Sequence, residues 1–119
     1  MTPEEIQELR EWSALKMEWV ESTPFGMEWM GPELDKLYGI DKTDWLPDRP
    51  ESGQIWMLVE RMRELGYEVK LVTGLIGQKP HYLCQMWSSM DNEIEEFDPN
   101  PCLAILKAAK VTEQAAAPE

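Results

Sequence analysis

Basic residues are scarce in this chain. Its 119 residues hold eleven Lys and Arg against twenty-three Asp and Glu, with one His, for a formal net charge of -12. A phosphate-binding stripe needs clustered Lys and Arg to displace counterions, so direct nucleic-acid binding is not expected. Cysteine is sparse too. Two residues cannot staple a disulfide scaffold, and they read as reduced, buried thiols of a cytoplasmic protein. Long apolar runs are missing: none approaches the ~20 residues that a membrane span needs. The N-terminus, with Glu4, Glu5 and Glu8, has neither the basic start nor the apolar stretch of a signal peptide.

What is present argues for a folded globule in spite of the charge. Hydrophobic residues make up 43% of the chain, with six Trp and eight Met, more than an acidic disordered segment carries. The length suits one domain, expected over residues 1–111, with 112–119 as a flexible tail. Charge is spread unevenly. Residues 1–52 carry thirteen acids against five bases, residues 53–89 three against four, and residues 90–119 seven against two. Two acidic ends thus flank a nearly neutral middle. Such a surface fits a partner with a basic face, and it also keeps a protein soluble whatever its partner.

Thr2, Pro3 and Glu5 have capping-box spacing for a helix running to about Glu21. Ile6, Leu9, Trp12, Leu15 or Lys16, and Trp19 fall on one stripe, and Ser22-Thr23-Pro24 with Gly26 breaks the helix. From Phe25 to Arg49 the pattern is weak: a short strand over Met27–Met30, a helical turn or two over Pro32–Tyr38, and loop from Asp41 to Pro50. Irregular stretches of this length often carry contacts, and Trp29, Tyr38 and Trp45 lie in this one. The same aromatics would serve to pin the segment to the core.

From Ser52 the punctuation sharpens. A helix opens there with Ile55, Leu58, Val59, Met62 and Leu65 on one face and ends at Gly66. Tyr67–Thr73 alternates as a strand with Tyr67, Val69 and Leu71 inward. Gly74–Pro80 reads as a seven-residue hairpin loop, His81–Trp87 as a central strand, and Glu93–Phe97 as a charged edge strand. Asn100-Pro101 starts a closing helix with Leu103, Leu106 and Val111 on its buried side, and Thr112–Glu119 reads as frayed.

Two of these segments carry a resemblance. Ile55-Trp56-Met57-Leu58-Val59-Glu60-Arg61-Met62-Arg63-Glu64-Leu65-Gly66-Tyr67 resembles the "WxVVEKMRELGY"-like helix end of the phage ABA-sandwich domain family. Asn100-Pro101-Cys102-Leu103-Ala104-Ile105-Leu106-Lys107-Ala108-Ala109 resembles that family's "TAPLAICRAAL"-like closing helix. The likeness covers about half of the chain. It departs from the family at both helix starts, where Pro50-Glu51-Ser52 replaces a usual Tyr-Ser-Thr and Asn100-Pro101-Cys102 stands where Thr-Ala-Pro is common. It implies an α+β fold, a helix–sheet–helix (ABA) sandwich with a small, mainly antiparallel sheet, in a protein of phage or prophage origin. The family has no assigned catalytic residues, so none is carried over.

No catalytic motif stands on its own. His81 and Cys84 are three apart on a strand and point to opposite faces, which disfavours a shared zinc or a Cys–His pair. Asp91, Glu93, Glu95, Glu96 and Asp98 lack the glycine of a calcium loop, and alternating acids on an edge strand also protect it from aggregation. No metal or cofactor is expected. The sequence favours a non-catalytic interaction protein binding a basic host protein, such as a defence or nucleic-acid enzyme, through an acidic, Trp-bearing surface. Its candidate contact residues are Trp29, Tyr38, Trp45, Asp91, Glu93, Glu95 and Glu96. The alternative is a binder that sequesters a nucleotide-like ligand between aromatic residues.

Overall fold

Thr2 opens the first helix as its spacing predicts. The computed structural model describes residues 2–21, 28–31, 40–88 and 93–116. In α1 (Pro3–Lys16) the Glu5 amide donates to Thr2 Oγ1 at 3.1 Å, and the Thr2 amide donates to Glu5 Oε1 at 3.4 Å, a reciprocal capping box. The helix ends five residues earlier than expected. Glu18 takes a positive φ of 64°, which turns the chain and delivers Trp19 into the interior. Burial of one indole outweighs continuation of the stripe, and Leu15 is left exposed.

Trp19 belongs to a small cluster with Ala14, Met17, Trp29 and Trp45, flanked by Ile40 and Met57. A three-stranded antiparallel sheet frames it: β1 (Val20–Glu21), β2 (Glu28–Met30) and β3 (Ile40–Asp41), in that order. Strands this short do not hold themselves together. The indoles do: Trp19 and Trp45 meet edge to face at 4.7 Å between ring centroids. Gly31 is obligatory for this packing, because a Cβ there would lie 2.0 Å from Trp19 Cδ1. The expected strand near Met27–Met30 is β2, and the expected loop from Asp41 begins with β3 and a 3-10 turn at Lys42–Asp44. The turn expected over Pro32–Tyr38 lies outside the described residues.

The helix expected from Ser52 starts at Ile55 instead, as α2 (Ile55–Glu64). Ser52 sits in a preceding 3-10 turn at Pro50–Ser52, where its hydroxyl donates to Leu46 O and accepts from the Gln54 amide. The end of α2 is as read: the Tyr67 amide donates to Met62 O and the Gly66 amide to Arg63 O, with Gly66 at φ 97°, a Schellman closure.

The second sheet is larger: β4 (Glu68–Ile76), β5 (Lys79–Trp87) and β6 (Ile94–Asp98), antiparallel, with β5 central. The seven-residue loop expected between β4 and β5 shrinks to Gly77-Gln78, both at positive φ, because the strands pair out to Ile76–Lys79. This two-residue turn matches the twist of a hairpin. Then α3 (Pro101–Ala116) packs on β5 and β6. Asn100 Oδ1 accepts from the Cys102 amide at 2.8 Å, which caps the helix start. The helix does not fray at Thr112, which is buried and donates to Ala109 O at 2.6 Å.

The fold is therefore α+β, with three helices and two small antiparallel sheets among the described residues. Period-two alternation assigns the sheet faces. Inward residues of the larger sheet (Val69, Leu71, Tyr82, Cys84, Met86, Ile94) share one core with Leu9 of α1, four residues of α2 and the Cys102–Ala109 stretch of α3. The opposite face carries Val72, Leu83 and Phe97 in register.

Candidate functional site

The two aromatic candidates with described positions are interior. Trp29 is 2% and Trp45 1% exposed. Trp45 Nε1 donates to Ser13 Oγ at 3.0 Å and Arg10 O at 3.1 Å. Trp29 is covered by the Lys42 ammonium, 4.6 Å from its ring centroid, and Lys42 is itself paired to Glu21 at 2.7 Å. These indoles pin the segment to the core, so neither a partner nor a planar ligand reaches them in this structure. The exposed indole is Trp56, on the outer flank of α2. Tyr38 and Asp91 lie outside the described residues.

The acidic candidates divide. Glu93 is exposed just before β6. Glu95 stands on the outer sheet face, where it accepts from Gln85 Nε2 at 3.1 Å. Glu96 has the opposite parity and turns toward the helices. There it lines a groove of about 280 Å³ with Glu5, Glu8 and Leu9 of α1 and Lys107, Lys110 and Val111 of α3. The groove thus joins acids from the two negative ends of the sequence. In sequence Glu5 reads as a capping-box residue and Glu8 as part of an acidic N-terminal stretch; their meeting with Glu96 depends on how α1 docks beside α3. One groove cation is engaged at the rim, since Lys107 Nζ pairs with Asp98 Oδ2 at 3.0 Å and donates to Phe97 O at 2.7 Å.

That docking has identifiable ties. Arg10 forks onto the buried Asp48 carboxylate, Nε to Oδ1 at 2.6 Å and Nη2 to Oδ2 at 3.1 Å, the geometry that makes arginine pairs directional. Asn100 Nδ2 donates to Asp48 O at 2.7 Å, so a single residue links α1, the 45–50 segment and the start of α3. Trp12 Nε1 donates to Glu113 at the far end. Arg61 fastens α2 to the end of α1 by donating to Lys16 O at 3.0 Å and pairing with Glu18 at 3.1 Å.

The thiols are poor nucleophiles where they stand. Burial pushes Cys84 from 9.0 up to about 12. Burial, then the Asp48 and Glu51 carboxylates, push Cys102 up to about 11. Both stay protonated near neutrality, whereas a reactive cysteine needs its thiolate. His81 stands on the outer face, its Nδ1 3.1 Å from Lys79 O, while Cys84 points inward, as their spacing requires. Among the described residues no group of three or more His, Cys, Asp or Glu is placed to hold a metal ion, and no helix is long and apolar enough to cross a membrane.

A second surface was not anticipated from sequence. Around Val72, Gly74, Ile76, Leu83 and Phe97 the outer sheet face is apolar and shallowly grooved. Its signal was the alternation itself, which sends Val72 and Leu83 away from the residues read as core.

Comparison with protein-family models, curated proteins and solved structures found no match to this chain.

Proposed function

We propose that this is a non-catalytic interaction protein that binds a basic surface of another protein through the groove between α1, β6 and α3. The observation that carries this reading is the convergence of Glu5, Glu8 and Glu96 in one groove with the apolar Leu9 and Val111, where they outnumber the lining cations Lys107 and Lys110, on a chain of net charge -12. Glu4 and Glu11 extend the exposed acidic ridge along α1. Carboxylates rimming an apolar strip suit a segment in which Lys or Arg flanks an aliphatic anchor, and they accelerate encounter with a basic partner.

Phage or prophage origin, and with it the helix–sheet–helix layering of the family, is part of this proposal. It rests on the two helix motifs at Ile55–Tyr67 and Asn100–Ala109. In that setting the partner is a host protein of the cytoplasm, and a defence or nucleic-acid enzyme, whose own substrate is an anion, fits the charge. A pull-down from host lysate at low salt is expected to recover a partner that releases as salt is raised, because screening removes the long-range attraction. Glu8→Lys with Glu96→Lys should abolish recovery without unfolding the protein, since these positions are exposed or half-buried. Undiminished recovery with that double variant would sink the assignment of the groove.

A further inference from the structure

We propose that the outer face of the β4–β5–β6 sheet is a self-association surface, occupied by the same face of a second copy. The face combines two properties. It is apolar, with Val72 38%, Ile76 55% and Phe97 54% exposed and Leu83 half-buried between them. Within the paired strands it is also balanced in charge: Glu68 and Glu95 against Lys70 and Lys79, by alternation and register. The chain as a whole carries a net charge of -12 and repels its own kind; the paired strands of this face add nothing to that repulsion.

Register then selects the occupant. Two rows cross the face, Lys70–Gln85–Glu95 and Val72–Leu83–Phe97. A closed pair of identical chains is related by a two-fold axis, and its interface must be complementary to itself. With that axis between the sheets and parallel to β5, β4 of one copy lies over β6 of the other. Lys70 then meets the second copy's Glu95, and Glu95 meets its Lys70. In the next row the small Val72 faces the large Phe97 in both directions, and Leu83 faces Leu83. Both rows are self-complementary under one operation, in charge and in size. Face-to-face sheets pack about 10 Å apart, within the reach of these side chains, and their twist confines good contact to the central rows. A face of this extent gives an interface of roughly 1,000 Å² in total, the lower limit for a specific pair, so the dimer is weak and reversible. The inference concerns a face separate from the α1–β6–α3 groove and stands whether or not that groove binds a partner.

Sedimentation velocity between about 5 and about 500 μM, a range that brackets weak interfaces, tests it on the full chain. The wild type is expected to shift from monomer to dimer across the range. Lys70→Glu sets like charges together twice by symmetry and should weaken association by roughly tenfold or more, as should Glu95→Lys. Lys70→Glu combined with Glu95→Lys should restore association to within about threefold of wild type, because the swapped charges again meet in pairs. Both positions are exposed, and unchanged circular dichroism of each variant verifies the fold. A wild type that stays monomeric at every concentration overturns the proposal, as does a dimer indifferent to either single reversal. Failure of the double variant to recover overturns the proposed alignment.

Discussion

The two faces of the β4–β5–β6 sheet are made by alternate residues of the same strands, yet they live in different surroundings. Met86 and Cys84 point into a core with Leu58, Met62, Ile105 and Leu106, all fully buried. One residue along, Leu83 points out into a row where Val72 and Phe97 remain exposed. The inner face is a scaffold in which volume and satisfied polarity decide everything. The outer face is an apolar surface that folding alone does not close, and patches of this kind mark association sites.

The contrast is broken most severely by removing volume. Leu106→Ala leaves a cavity in a fully buried position and should cost about 2–5 kcal/mol of unfolding free energy in denaturant titration. Phe97→Thr on the outer face should cost under about 1 kcal/mol. Comparable losses at the two positions would mean that the outer face is structurally closed after all.

Adding volume gives the converse, somewhat smaller test. At Gly31 a new Cβ would meet Trp19 Cδ1 at 2.0 Å, whereas at Gly74 it would meet nothing within 4 Å. Gly31→Ala should therefore destabilise by about 1–3 kcal/mol, the usual cost of overpacking. Gly74→Ala should be neutral or stabilise by up to about 1 kcal/mol through a less flexible unfolded chain. Thermal melts of the two variants should move in opposite directions or differ by several degrees.

Ionisation sharpens the contrast further. Well below pH 9 the Cys84 thiol is protonated in the folded and unfolded chains alike and adds no pH dependence. Between 9.0 and about 12 the unfolded thiol loses its proton while the buried one keeps it. The unfolded state then binds fewer protons, and stability falls as pH rises. Cys84→Val should flatten that part of the melting-temperature profile relative to wild type. A thiol placed on the opposite face by Leu83→Cys should react with a thiol reagent in the native state, where Cys84 and Cys102 remain protected. Rapid native reaction of Cys84 would contradict its burial.

The legibility of this fold in its sequence follows local chemistry. The capping box at Thr2, the Schellman glycine at Gly66, the inward set of β4 and the central place of β5 were readable, because each depends on neighbours in sequence. Gly74 and Pro80 resemble loop punctuation and make the hairpin loop read as long, while the actual turn at Gly77-Gln78 uses Gln78 at positive φ, a conformation its residue type does not advertise. The end of α1 is not legible locally, because Trp19 is drawn away to Trp45, a contact across many residues of chain. For the same reason Trp29 and Trp45 looked like contact residues: their segments lack periodicity, and burial came from partners that no local pattern reveals. The groove was half legible. Glu96 stood out in an acidic run, but only the packing of α1 against α3 brings Glu5 and Glu8 to it.

The most direct test of the difference between the faces is a dilution series followed by methyl and amide NMR. Resonances of Val72, Leu83 and Phe97 should shift or broaden with increasing concentration, while those of Met86, Ile105 and Leu106 hold still. Concentration-independent spectra, or shifts centred on α1 in place of the outer strands, would contradict the account.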